Sequence, residues 1–179
     1  MDNIKIGKMI VKREFREICK LLDLKVERND FIGALRKLRI RRLQFYLHSY
    51  QSYLWNLVLS EYLSKFKHFK VKYKYGEFVF LKEKIKNFDL ALINFNTEFK
   101  NKEIEEIYSN ILNNENVGKL DFLIREIPEI VTQGISRKAF VDVDWESIGF
   151  DKIKKEARIK FFLPKGGYAT IVLKKAINL

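Results

Sequence analysis

A chain of 179 residues with 47% apolar and 14% aromatic side chains carries enough core-formers to fold, and its length suits one domain or one domain plus part of another. A single cysteine, Cys19, excludes an intramolecular disulfide framework, and no apolar run approaches the ~18 residues of a membrane-spanning helix. The 35 Lys and Arg against 23 Asp and Glu leave a formal net charge of +12, a field that attracts polyanions, of which nucleic acid is the commonest in cytosol.

The opening MDNIKIGKMIVKREF puts charges where a secretory signal needs an unbroken apolar stretch, so a cytoplasmic protein without a membrane segment is expected. Val11, Phe15, Ile18 and Leu22 recur at helical spacing among Lys and Arg, which predicts one amphipathic helix from Val11. Asn29 or Asp30 can cap a short second helix with Phe31, Ala34, Leu35 and Leu38 inward. The longest helix spans about residues 40–65, where Leu43, Leu47, Tyr50, Leu54, Leu57 and Val58 form the stripe of a structural spine.

The period then changes to two. Val71, Tyr73 and Tyr75 alternate with Lys70, Lys72 and Lys74, and Gly76-Glu77 interrupts before Phe78, as in a hairpin with a basic face. A helix is expected over residues 102–112, followed by a weakly periodic connection over 113–134. Residues 139–146 and 157–163 alternate as strands. Beyond LPKGG, Ala169, Val172, Leu173, Ala176 and Ile177 gather on one side only in a helix.

The densest charge lies in LRKLRIRRL, where Arg36, Lys37, Arg39, Arg41 and Arg42 fall within seven residues and no acid occurs between Asp30 and Glu61. Guanidinium forks match phosphate oxygens, so RNA backbone binding suits this run; a helix end paired with acids from elsewhere is the plainer alternative. In KFKHFKVKYKY, cations alternate with aromatics, a composition suited to phosphates and stacked bases, though Tyr73 and Tyr75 serve equally well as core. In LPKGGYAT, Pro164 stops the strand, Gly166 and Gly167 permit close backbone approach, and the next helix aims free N–H groups at the loop. Lys165 adds charge and Tyr168 a ring for a flat ligand. An ordinary strand-to-helix turn has the same residues. His48, His68 and Cys19 stand at no metal-ligand spacing, so no metal site is expected. Gly118-Lys119 lacks a P-loop context, and Asp142 with Asp144 reads as a solvated pair sharing a strand face.

Three blocks carry a family resemblance: RLQFYLHSYQSYLWNLVLSE from Arg42, ALINFNTEFK from Ala91, and RIKFFLPKGGYATIVLK from Arg158. In that order and spacing they resemble the TruD family of tRNA pseudouridine synthases, archaeal type, over nearly the whole chain. The resemblance implies a mixed α/β (α+β) fold. Residues 1–134 would be mostly the TruD-type insertion domain, and 135–179 the C-terminal strands and helix of the pseudouridine synthase catalytic domain. It implies an isomerase without cofactor that converts uridine, usually at position 13 of tRNA, by aspartate attack and base rotation.

The family's G-x-K-D, A-x-T-x-Q and N-x-F-G blocks are absent, and Gly118-Lys119-Leu120-Asp121 matches neither their spacing nor their context. The chain therefore resembles the C-terminal half of such an enzyme, with no catalytic residue of its own and no activity alone. Either it is one half of a split enzyme, with a separate chain carrying the N-terminal half as a partner beside tRNA, or it is a fragment of a longer gene product. Tyr168 matches the aromatic of the family's L-P-x-G-S-[FY]-A-T loop, expected near the target uracil, while Gly167 replaces the usual serine. Lys165, Gly166, Gly167 and Tyr168 are thus the expected substrate-binding residues, and Arg36, Lys37, Arg39, Arg41, Arg42, Lys70, Lys72 and Lys74 the expected RNA-binding ones. A non-catalytic RNA-binding remnant of the family is the alternative.

Overall fold

The computed structural model describes residues 2–131, 134–164 and 167–177. Helix α1 (Asn3–Val11) opens the chain, capped by the Asp2 carboxylate, which accepts from the Lys5 amide at 3.2 Å. Its inner side, Ile6, Met9, Ile10 and Val11, is buried against α4 (Ile40–Leu63). Gly7 allows that approach: a Cβ there would lie 2.1 Å from the Tyr46 carbonyl oxygen.

The single helix expected from Val11 is two. α1 ends at Val11 and α2 begins afresh (Phe15–Leu21). Between them Arg13 takes φ +59, a left-handed conformation that disfavours a non-glycine residue by about 1–2 kcal/mol. Its guanidinium offsets this by donating to the carbonyls of Val11, Asp121 and Leu123, the last at 2.6 Å. Local periodicity holds no trace of a turn fixed by carbonyls more than a hundred positions away.

The cap of α3 (Phe31–Arg36) is as expected, with the Asp30 carboxylate accepting from the Gly33 amide at 2.8 Å. α4 is the spine. Leu43, Leu47, Tyr50, Leu54 and Val58 recur at three- and four-residue spacing and are at most 1% exposed. Strands β1 (His68–Tyr73) and β2 (Gly76–Leu81) form an antiparallel hairpin in which Tyr73 faces Gly76, whose φ of +136 suits only glycine. β2 leans on the end of α4, packing Val79 and Leu81 with Leu63.

β3 (Asp89–Ala91) pairs antiparallel with β4 (Ser136–Lys138). Between them in sequence, α5 (Lys102–Glu115) is capped by the Asn101 side chain and ended by left-handed Asn116. Two 3-10 turns follow, Lys119–Phe122 and Pro128–Ile130. Together with α1 and α4 these segments close the main core over Tyr50, Tyr108 and Phe122.

β5 (Asp144–Asp151) and β6 (Glu156–Phe162) form a second antiparallel hairpin, bulged between Trp145 and Ser147, and α6 (Ala169–Ile177) follows. The strand expected over 139–146 is displaced. Phe140 finds its backbone partners in the Asn87 side chain, which donates to its carbonyl at 2.9 Å and accepts from its N–H at 3.1 Å, so no ladder forms there. Asp142 consequently lies outside any strand, and the face it was expected to share with Asp144 does not exist. Among the described residues, helices beside three separate two-stranded antiparallel sheets make the expected mixed α/β class.

Candidate nucleic-acid interface

The five-residue basic cluster straddles the junction of α3 and α4, and its members face different neighbours. Arg36 Nη2 donates to the Glu126 carbonyl at 3.0 Å and lies 3.8 Å from the Glu129 carboxylate. Lys37 pairs with Glu27 at 3.4 Å. Arg42 Nε donates to the Tyr46 hydroxyl at 2.8 Å and its guanidinium sits 5.8 Å from that ring's centre. Arg39 and Arg41 are exposed and have no side-chain hydrogen bond or ion pair among the described residues. The run that reads as one patch is therefore two exposed cations beside three partly engaged ones.

Those cations also break a local rule. α4 starts with no side-chain cap and no acid in its first turn, and Arg41 and Arg42 sit where the helix dipole is positive, each opposing it by about 0.3–1 kcal/mol. Polyanion binding would relieve that repulsion.

Lys70, Lys72 and Lys74 are all exposed. Lys70 lies 3.4 Å from Glu77, Lys74 hangs 4.9 Å from the Tyr75 ring centre, and Lys72 has no ion pair among the described residues. Val79 and Leu81 of the hairpin pack on Leu63, at the far end of α4 from the arginines, while its turn comes back to mid-helix, where the Tyr75 ring lies 6.4 Å from that of Tyr53.

In the LPKGGYAT loop, Lys165 and Gly166 lie outside the described residues. The Gly167 amide donates to the Pro164 carbonyl at 2.9 Å, and the amides of Ile171 and Val172 donate to Tyr168 oxygen, so α6 starts on Tyr168. Tyr168 is 58% exposed. Upstream, the register of β5 with β6 sets Trp145 against Phe161, Ile148 against Ile159, and Phe150 against Ala157. That face is wholly apolar.

The resemblance blocks at Arg42 and Ala91 prove mainly architectural. Gln51 Nε2 donates to the Ile93 carbonyl at 2.8 Å, Trp55 Nε1 to that of Leu90 at 2.9 Å, and the Tyr108 hydroxyl to that of Ala91. Asn94 and Thr97, buried, close the following turn through a 2.8 Å bond from the Asn94 amide to Thr97 Oγ1. Polar residues inside an otherwise apolar block were the available signal for this network. A second one joins α1, α4 and α5: Lys8 reaches Glu115 at 2.6 Å, and the Tyr50 and Tyr53 hydroxyls each lie 3.3 Å from the same carboxylate. Burial, with Glu115 beside it, pushes the Tyr53 phenol up to about 12 and Tyr50 higher still.

Asp121 accepts from the Gly118 amide at 2.6 Å and caps a 3-10 turn. Asp142 and Asp144 are exposed. The Cys19 thiol is buried and pushed up by that burial. His48 is held below its ordinary range by burial and by Arg137, which donates to Ser52 Oγ at 3.2 Å. Among the described residues no three His, Cys, Asp or Glu side chains gather as a metal site, and no helix is long and apolar enough to cross a membrane.

The family model for tRNA pseudouridine synthase D (TruD) matches residues 10–89 and 80–176. Over 96% of its length the chain is 31% identical to a "Probable tRNA pseudouridine synthase D 1" of Methanococcus maripaludis, covering 47% of that protein. Over 84% of its length it is 32% identical to a "Probable tRNA pseudouridine synthase D" of Methanopyrus kandleri, covering 36%. Its fold aligns at a TM-score of 0.73 and 19% identity with a crystal structure of the Methanosarcina mazei protein designated TruD, covering 99% of this chain and 57% of that one. The chain thus spans half or less of the curated relatives' length.

Proposed function

The chain belongs to the TruD family of tRNA pseudouridine synthases, and from that premise we propose that it supplies tRNA binding and one wall of the active site for converting uridine to pseudouridine, at position 13 of tRNA, in the cytoplasm. Residues 1–134 serve mostly as the insertion domain, and residues 135–179 as the last strands and helix of the catalytic domain. The carboxylate nucleophile comes from sequence outside these 179 residues, on the same polypeptide or on a separate partner chain. Tyr168, at the start of α6, holds the flipped uracil by its ring, and the LPKGGY backbone approaches the nucleotide closely.

One observation carries this reading: the apolar face of the β5–β6 hairpin is uncovered, with Trp145 45%, Ile148 72% and Phe150 64% exposed. A two-stranded ribbon is marginal by itself, and an apolar face of this kind marks an interaction site. The remaining strands of the catalytic sheet would extend its edge and bring the nucleophile beside Tyr168, and the layer packed on that sheet would cover the face.

Reconstitution tests the proposal. The chain alone should leave a tRNA transcript unmodified, and adding a polypeptide that carries the G-x-K-D and N-x-F-G blocks should give pseudouridine. Ile148→Asp should weaken that rescue. Pseudouridine formed by the chain alone and lost in Asp142→Asn would refute the external nucleophile.

Binding separates the cations. Arg39→Ser with Arg41→Ser should weaken tRNA binding across sequences and reduce the logarithmic salt slope by roughly 1.4 to 1.8, since each phosphate contact contributes about 0.7–0.9. Arg36→Ser with Lys37→Ser, whose partners are protein groups, should change the slope less.

A further inference from the structure

The β1–β2 hairpin has two faces of different kinds. Val79 and Leu81 pack with Leu63 beneath it, and Lys70 and Lys72 share their side at the rim. On the other side Phe69, Tyr73, Phe78 and Phe80, each half-buried and outside both packed clusters, stand around Val71, which is buried. Phe69 lies 5.5 Å from Phe80, Phe80 6.3 Å from Phe78, and Phe78 is stacked 3.9 Å from Tyr73 at an interplanar angle of 14°. Among the described residues, Phe69, Phe78 and Phe80 find ring partners only within the hairpin, each half-buried by its neighbours.

Charge surrounds this row. Residues 65–86 hold eight Lys (Lys65, Lys67, Lys70, Lys72, Lys74, Lys82, Lys84 and Lys86) and two Glu (Glu77 and Glu83), so a net +6 of the chain's +12 lies in this segment. A lysine-rich edge also deters strand-to-strand aggregation, but that need would be met with polar residues on the outer face. A row of rings among lysines suits a ligand that is flat, apolar on its faces and anionic along its backbone.

We propose that the outer face of the β1–β2 hairpin is a stacking platform for unpaired bases of the bound RNA, with Phe69, Tyr73, Phe78 and Phe80 as the surface and the lysines at the hairpin's rim, Lys72 and Lys74, reaching round its edge to the phosphates. The proposal rests on the RNA-binding reading above and extends it to single-stranded segments. The arginines at the start of α4 meet backbone phosphates without regard to pairing, whereas this end of α4 prefers exposed base faces.

The test uses the full chain, a labelled 12-nucleotide oligouridine, and an RNA hairpin duplex of equal phosphate number. Wild type should bind the single strand more tightly. Phe80→Leu and Phe78→Leu keep apolar bulk and remove the ring; each should weaken single-strand binding about fivefold to a hundredfold, leaving duplex binding and the salt slope unchanged. Irradiating wild type with 4-thiouridine RNA should crosslink within residues 69–80, an outcome that does not depend on any variant folding. Equal affinity of wild type and both variants for oligouridine, or crosslinks confined to residues 36–42, would overturn the platform while leaving RNA binding intact. Failure of wild type to bind either RNA would overturn both.

Discussion

Tyr50, Leu54 and Val58 on α4 are fully buried, while Ile148, Phe150 and Ile153 in the β5–β6 hairpin are 72%, 64% and 94% exposed. Both stretches are apolar and well patterned; they differ in having somewhere to pack. In the first region α1, α4, α5 and the two 3-10 turns converge on one core, and its last buried residue is Ile130. Among the described residues nothing later is buried, and α6 buries no side chain at all. Apolar pattern in a sequence specifies that a face will be covered, and the covering element can be absent from the residues at hand.

Paired substitutions put that contrast to the test. Leu47→Ala, at a site 1% exposed, should lower the free energy of unfolding by about 2–5 kcal/mol in urea, whereas Ile148→Ser in the same chain should change it by under about 0.5 kcal/mol. Comparable losses would mean that the hairpin is packed after all. A smaller effect is expected at Lys8→Met, which strands the Glu115 carboxylate between two tyrosines: a loss of about 1–2 kcal/mol in urea. An unchanged urea midpoint would show that Lys8 does not hold the charge of that network.

The smallest effect concerns pH. His48 has a folded value below its ordinary one, so the native state binds fewer protons than the unfolded state as histidine begins to titrate. Its contribution is complete above about pH 7 and is lost as pH falls toward the folded value. His48→Gln should therefore narrow the drop in urea midpoint between about pH 7 and pH 5. An equal drop in both proteins would remove His48 from the account.

Much of the first region was legible in the chain. The stripe of α4, the Asp30 cap, the alternation of β1 and the Gly76 turn are local patterns, and each appears where its pattern lies. What escaped were features set by distant groups. Arg13 needs the carbonyls of Asp121 and Leu123 to hold its turn, and Phe140 is taken out of a strand by Asn87. At the candidate interface, sequence supplied the cations but not their partners. Only the folded chain separates Arg36 from Arg39 and Arg41, because Glu126 and Glu129 arrive from far along the chain, while Lys37 and Arg42 find the nearer Glu27 and Tyr46. The aromatic row was visible as alternation, yet its place outside the core depended on which side of the hairpin met α4.

The Arg13 turn also sets an order of events during synthesis. Its bond to the Leu123 carbonyl spans 110 residues, so the joint between α1 and α2 cannot close until that much more chain has emerged. At about 5–20 residues per second the ribosome needs roughly 5–20 s for this stretch. Through that interval Ile6, Ile10 and Val11 can find α4, but the elements that seal the core around them do not yet exist. Helix α1 must wait, half-covered, for a part of the protein that is made long after it.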